Sequence, residues 1–166
     1  AEDLSTEQVL SARGFIKKVN GEERLTNAAV LLFAKNILQF YPNCRIRFIR
    51  YEGNTEQTGT RMNVIKDKNI EYPILRIIDE ALEFIGHQLR EFTALNKETG
   101  KFQTVPEYPE FAWQEGIINA VTHREYGLSG AYIKVSMFDD PLELQSPGRL
   151  PYLVTADNIR ETRYSR

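Results

Sequence analysis

The stretch Glu115-Gly-Ile-Ile-Asn-Ala-Val-Thr-His-Arg-Glu-Tyr126 decides the fold prediction, because it combines an apolar helix side with a polar one. Successive residues of an α-helix are rotated by about 100°, so Glu115, Asn119 and His123, at spacings of four, fall within roughly 80° of one another. The apolar residues face mostly elsewhere and can pack, namely Ile117, Ile118 and Val121. The pattern predicts a helix with one buried side and one polar side.

Two interpretations of this polar side are open from the spacing alone. The first is a hydrated helix surface without further function. The second is a ligand site, because a carboxamide oxygen such as that of Asn119 is a ligand for Mg²⁺, which bridges phosphate oxygens. A carboxylate one turn earlier, Glu115, can orient or deprotonate a water molecule. His123 and Arg124 can add hydrogen-bond donors near phosphate oxygens.

Length and composition narrow the classes of protein. With 166 residues, 42% of them apolar and 27% charged, the chain fits one globular domain of ordinary size. Because the chain has a single cysteine, Cys44, it can form neither an intramolecular disulfide nor a zinc cluster built on thiolates. We expect Cys44 to be a small buried residue. Two histidines are too few for a histidine-based metal site, and a net charge of −2 argues against strong nucleic-acid binding by this chain alone.

The sequence also predicts where the chain resides. No apolar run approaches the ~18 residues of a membrane-spanning helix, and the N-terminal residues 1–5 lack the basic and apolar regions of a secretory signal. We therefore expect no contact with a membrane and a cytoplasmic location.

Local patterns place the helices. The second helix, over 25–34, is so widely apolar that we expect both of its sides to be covered, and the third runs from Pro73 to about Phe92. The predicted helix starts follow Ser5, Thr26 or Asn27, Pro73, Pro109 and Thr155.

Alternation of apolar and polar residues predicts strands over 44–51, 131–138 and 142–145, the last two joined as a hairpin by the turn Asp139-Asp140-Pro141. Residues 96–108 are predicted to form a hairpin or loop, and residues 52–59 a polar connector. The two acidic residues of the turn could bind a metal, but an ordinary acidic turn is the simpler interpretation.

The first of these strands carries three arginines, namely Arg45, Arg47 and Arg50. They could contact nucleic acid or simply form the hydrated face of the strand.

Several segments occur in the order seen in one family, namely 25–34, 46–53, 115–126, 144–151 and 163–166. From about Ser5 to Arg166 the chain resembles the ATP-binding region of bacterial and archaeal transcriptional regulators related to the C-terminal part of the RecG-type ATP-dependent DNA helicase. The resemblance implies an ATP-binding regulatory domain whose parent protein binds DNA through other domains, of AlbA-like or Schlafen-like type. No Walker-type loop is present, so we expect no helicase motor.

The second half of that family is similar to the GHKL ATPases. This resemblance implies a catalytic carboxylate at Glu115, a Mg²⁺ ligand at Asn119 and nucleotide contacts at Ser146 and Gly148. Ser146 stands where the GHKL proteins have the aspartate that recognises the adenine amino group. The ATP lid and the later phosphate loop of those proteins would follow Arg166.

We therefore expect an α/β sandwich, with helices on a mixed, mostly antiparallel sheet. Residues 1–72 are predicted to form an N-terminal α/β subdomain and residues 73–166 a GHKL-like, or Bergerat-like, ATP-binding subdomain that shares its core. The leading hypothesis is a regulatory domain that binds ATP and Mg²⁺. Weak ATPase activity and a homodimer are both open from the sequence. The alternative is a degenerate, non-enzymatic module for interaction or dimerisation in a DNA-binding regulator.

Overall fold

The computed structural model describes residues 4–148, which form a mixed α/β structure as predicted. Its helices are α1 (Thr6–Ala12), α2 (Asn27–Phe33), α3 (Ile74–Gly86) and α4 (Glu110–Thr122). Its strands are β1 (Ile16–Val19), β2 (Glu22–Leu25), β3 (Ile46–Tyr51), β4 (Val64–Ile70), β5 (Glu91–Leu95), β6 (Phe102–Pro106), β7 (Ile133–Met137) and β8 (Leu142–Gln145).

The main sheet has the strand order β4-β3-β7-β8. Strand β3 is antiparallel to β4 and parallel to β7, and β7 is antiparallel to β8, which confirms the prediction of a mixed, mostly antiparallel sheet. The parallel register joins Ile46 to Ile133 and Arg50 to Met137. Strands β1 and β2, and strands β5 and β6, form two separate antiparallel hairpins.

Helices α3 and α4 pack on one face of this sheet and enclose the hydrophobic core. Burial of each large aliphatic or aromatic side chain contributes about 1.5–3 kcal/mol, so this face supplies most of the stabilisation. The core residues are Ile46, Phe48, Ile70, Ile77, Ala81, Ile85, Trp113, Ile117, Ala120, Val121, Ile133, Val135 and Met137. They come from segments on both sides of residue 73. A smaller buried cluster consists of Ile49, Tyr51 and Phe138.

Helix α4 begins after Pro109, as predicted, and approaches β8 closely at Gly116. A Cβ atom at this glycine would lie 3.2 Å from Cδ1 of Leu144, which is tighter than an ordinary van der Waals contact. The missing side chain therefore lets the helix lie against the end of the sheet. This approach sets the position of the polar helix side relative to the chain that follows β8.

The predicted helix starts at Ser5 and Thr26 are confirmed. The Ser5 hydroxyl accepts a hydrogen bond from the Gln8 backbone, and the Gln8 side chain accepts one from the Ser5 backbone, which completes a capping box. Thr26 caps α2 through a bond from the Ala29 backbone. Strand β3 and the hairpin of β7 and β8 are also confirmed.

The predicted end of the third helix near Phe92 is wrong. Helix α3 ends at Gly86, and Phe92 lies in β5, where it pairs with Val105 of β6. Glycine is a poor helix former, and Gly86 is the last residue of the helix, followed by the cap residue His87. The chain then turns through the His87 cap into the hairpin.

Helix α2 is not covered on both sides, contrary to prediction. Only Ala29 is buried among its residues, and Phe33 keeps 53% of its surface exposed. Strand β4 and the hairpin of β1 and β2 were not predicted at all. Asn20 and Gly21 turn that hairpin with φ of 53° and 84°, the left-handed conformation that a two-residue Asn-Gly turn favours.

The helix predicted after Thr155 and the family segment at 163–166 lie outside the described residues. Within residues 4–148, no helix has both the length and the apolar character that crossing a bilayer requires.

Candidate functional site

The polar side of α4 brings Glu115 and Asn119 into direct contact. The Asn119 amide, Nδ2, donates a hydrogen bond of 3.0 Å to Oε1 of Glu115. Both side chains are exposed to solvent. Because Nδ2 is turned toward the carboxylate, the amide oxygen of Asn119 faces away from it. Oδ1 takes no part in the hydrogen bonds among residues 4–148, so it is available to a ligand.

An open cleft of about 360 Å³ lies beside this helix side, between α4 and the chain that leaves β8. Its lining residues are Gly116, Asn119, Ala120, His123, Leu144, Ser146 and Gly148. The apolar members are more buried than the polar ones, so the cleft has an apolar floor and a polar rim. Glu115 does not line the cleft and reaches it only through Asn119.

Hydrogen bonds fix the segment that forms the far wall of the cleft. The Ser146 hydroxyl donates to the Ala120 carbonyl over 2.8 Å, and the Glu125 amide donates to the Pro147 carbonyl over 3.0 Å. These two hydrogen bonds hold residues 146–147 against the C-terminal end of α4. A Cβ atom at Gly148 would lie 3.5 Å from the His123 carbonyl, an ordinary contact. Packing among residues 4–148 therefore does not require glycine at this position.

His123 lies on the rim although the helix ends before it. Helix α4 stops at Thr122, and His123 is its C-cap, with its backbone amide bonded to the Asn119 carbonyl over 3.0 Å. The imidazole is exposed and lines the same cleft as Asn119. The structure thus brings Asn119, His123, Ser146 and Gly148 together.

Arg124 is placed elsewhere. Its side chain is only 6% exposed, and Nη2 donates to the carbonyls of Asn43 and Ala131 over 3.0 and 2.6 Å. It does not line the cleft beside α4. The structure therefore separates Arg124 from the other residues that the sequence analysis assigned to the nucleotide.

Three arginines, two in β3 and one just before it, form ion pairs with carboxylates of the same chain. The pairs are Arg45–Glu71 at 3.6 Å, Arg47–Asp67 at 2.6 Å and Arg50–Asp139 at 3.9 Å. Hydrogen bonds from the Arg47 guanidinium hold the pKa of the Asp67 carboxyl below its ordinary value. Asp139 also accepts a bond of 2.7 Å from the Gly53 amide. These contacts pair the three arginines, and Asp139 of the acidic turn, within the described chain.

The donor set of the cleft fits a magnesium ion that arrives with a nucleotide. Within residues 4–148, no three His, Cys, Asp or Glu side chains are grouped as a metal site of their own. Mg²⁺ needs no such cage, because it is commonly held by one or two protein oxygens together with waters and substrate phosphates. The amide oxygen of Asn119 is one oxygen of this kind.

Three residues of the cleft floor were missed by the sequence analysis, namely Gly116, Ala120 and Leu144. Gly116 did carry a signal, because a glycine inside a strong helical pattern often marks a close packing contact. The partner of that contact, Leu144, could not be identified without the position of β8.

Comparisons with known proteins bear on the fold alone. No protein-family model matches the chain, and no curated protein matches it significantly. Among solved structures, the chain is similar to the DIP2311 protein from Corynebacterium diphtheriae, with a TM-score of 0.69 and 23% identity. The similarity covers 99% of this chain and 31% of that protein, so the chain spans about a third of its length. At this identity the similarity shows a shared fold.

Proposed function

We propose that this chain is an ATP-binding regulatory domain of a DNA-binding transcriptional regulator, and that ATP and Mg²⁺ bind in the cleft beside α4. The observation that carries the proposal is the meeting of Asn119, His123, Ser146 and Gly148 around one cleft, next to Glu115. The volume of about 360 Å³ lies within the usual range of small-molecule sites, roughly 300–1,000 Å³. Contacts with DNA are assigned to other parts of the regulator.

Asn119, Glu115 and His123 have different roles at the phosphate end of the proposed site. Bound Mg²⁺ supplies positive charge that neutralises phosphate oxygens. Asn119 holds the metal through Oδ1, because Nδ2 is engaged by Glu115. The Glu115 carboxylate is exposed and can accept a proton from a water molecule. The exposed imidazole of His123 can donate a hydrogen bond to a phosphate oxygen.

The remaining residues suit the flat face and the edge of a base. Gly116, Ala120 and Leu144 form an apolar floor on which a planar ring can lie. The hydrogen of the Ser146 hydroxyl is used by the Ala120 carbonyl, so toward a ligand its oxygen can only accept a hydrogen bond. An exocyclic amino group, such as that of adenine, donates such a bond. These features suit a nucleotide whose base carries an amino group, which ATP does.

Isothermal titration calorimetry with ATP and Mg²⁺ tests the proposal. Asn119→Ala should weaken binding at least tenfold, since loss of a metal-site contact typically costs about 10–100-fold in affinity. Gln114→Ala is a matched control, because Gln114 makes the same bond to Glu110 over 2.9 Å on the same helix but lies outside the cleft. The proposal fails if the unaltered chain shows no saturable heat, or if both variants lose affinity equally.

The alternative function, a non-enzymatic interaction module, is favoured by exposed aromatic residues near the hairpin of β5 and β6. Phe92 is 51% exposed, Phe102 is 76% exposed, and Phe111 at the start of α4 is 78% exposed. In the hairpin Phe92 lies opposite Val105 on one face and Phe102 lies opposite Leu95 on the other, and all four are exposed. Adjoining exposed apolar groups of this kind are typical of protein contact surfaces. In this case sedimentation should show self-association that Phe102→Ser abolishes, while calorimetry shows no ATP binding. A monomer at all concentrations would reject dimerisation.

A further inference from the structure

Arg124 lies beside a second cavity, which is separate from the cleft of α4. The cavity has a volume of about 230 Å³, and its walls are the segments 40–44 and 126–129 together with Arg124. It shares no lining residue with the cleft beside α4. Any ligand of this cavity is therefore independent of the nucleotide proposed above.

The guanidinium of Arg124 is buried without enough acceptors. Nη2 bonds to the carbonyls of Asn43 and Ala131, but the buried Nε and Nη1 atoms have no hydrogen-bond partner among residues 4–148. No carboxylate of the described chain forms an ion pair with this arginine. Buried charges in proteins are ordinarily paired, and buried donors are ordinarily bonded. The arginine therefore lacks a negative counter-ion among the described residues, and two of its three guanidinium nitrogens lack acceptors there.

The side chains around the cavity do not supply the missing charge. Burial raises the pKa of the Cys44 thiol, although Arg124 opposes this shift, so the thiol is neutral. Burial also raises the pKa of the Tyr126 phenol, whose hydroxyl donates to the Val121 carbonyl. The ring of Tyr126 lies 4.7 Å from the guanidinium carbon of Arg124. The residues that line the cavity thus offer an aromatic surface and a positive charge, and the nearby Glu125 carboxylate, which does not line it, accepts a hydrogen bond from the Gly127 amide.

We propose that this cavity binds a small organic carboxylate, with its negative charge against Arg124 and its body against Phe40, Tyr126 and Leu128. The unpaired nitrogens of Arg124 are inaccessible to solvent, so the attraction that we propose is that of a buried positive charge without a counter-ion for an anion in the cavity beside it. The volume of about 230 Å³ far exceeds the roughly 30 Å³ share of one water molecule. The apolar walls favour an organic body over a bare inorganic ion.

The test uses benzoate as the probe and the unaltered chain as the receptor. Calorimetry should show saturable binding of benzoate, and the thermal unfolding midpoint should rise with benzoate concentration. Benzamide, which has the same ring and no charge, should do neither. Equal effects of benzoate and benzamide, or no saturable binding, would overturn the proposal.

Three variants locate the binding. Arg124→Gln should weaken benzoate binding at least tenfold. Arg45→Gln removes one positive charge outside the cavity and should leave the affinity for benzoate unchanged. Arg124 also links two loops through the carbonyls of Asn43 and Ala131, so its replacement can unfold the chain. In that case the comparison of benzoate with benzamide on the unaltered chain tests the proposal. Asn119→Ala should bind benzoate normally, which separates this site from the nucleotide site. Saturable binding of inorganic phosphate but not of benzoate would contradict the organic carboxylate.

Discussion

Replacing Gly116 with alanine tests how closely α4 lies against β8. Alanine in the middle of a helix is more favourable than glycine by about 1 kcal/mol, so without crowding this change stabilises the protein. The new Cβ, however, would lie 3.2 Å from Cδ1 of Leu144, which packs against the core. Overpacking of this kind costs about 1–3 kcal/mol. We therefore expect Gly116→Ala to lower the free energy of unfolding by about 0–2 kcal/mol.

A double-mutant cycle isolates the crowding. With Leu144→Ala already in place, the added Cβ meets no side chain, so Gly116→Ala should stabilise the chain by about 1 kcal/mol. Urea unfolding followed by circular dichroism measures all four proteins. Gly86→Ala is a control, because its Cβ would lie 3.5 Å from Trp113, an ordinary contact, and it should stabilise. If Gly116→Ala stabilises equally with and without Leu144, the close approach of α4 to β8 is refuted.

Three further predictions concern stability. Ile85 is fully buried in the core, so Ile85→Ala should cost about 2–5 kcal/mol in urea unfolding, and a loss below 1 kcal/mol would place this side chain outside a packed core. Because Arg47 lowers the pKa of Asp67 in the folded state, the pair stabilises the protein above about pH 4, and this stabilisation is lost as the pH falls. Asp67→Asn should therefore weaken the fall of the free energy of unfolding at acid pH. An unchanged pH dependence contradicts the pairing. Ser5→Ala removes the cap of α1 and should speed amide exchange in that helix, with about 1 kcal/mol of local protection lost, whereas unchanged exchange would argue against the capping box.

Elements with strong local patterns could be predicted from the sequence. The start of α4 after Pro109 followed from the tolerance of proline in the first helical turn. The hairpin of β7 and β8 followed from alternation on both sides of the turn at 139–141. Burial of Cys44 followed from its place just before β3. In each case the determining residues are neighbours in the sequence.

Features that depend on distant segments could not be predicted in this way. The parallel pairing of β3 with β7 joins residues such as Ile46 and Ile133, and no local pattern encodes that register. Strand β4 is largely exposed, so its alternation carries little apolar signal. The Asn20-Gly21 turn was different, since its dipeptide is a local signal that could have revealed the first hairpin.

The candidate site shows the same division. Helical spacing correctly placed Glu115 and Asn119 within hydrogen-bond distance of each other. Arg124 was expected beside them, but the helix ends two residues earlier, and the carbonyls of Asn43 and Ala131 direct its side chain elsewhere. Those carbonyls belong to loops that are brought together only by the folded sheet.

The magnesium dependence of ATP binding tests the proposed site most directly. Calorimetric titrations with and without Mg²⁺ should show that the metal strengthens ATP binding at least tenfold, or about 1.4 kcal/mol. In Asn119→Ala this metal effect should disappear, while in Gln114→Ala it should persist. ATP binding that is equally strong without Mg²⁺, or a metal effect that survives in Asn119→Ala, would contradict the role of Asn119 as the ligand of the metal.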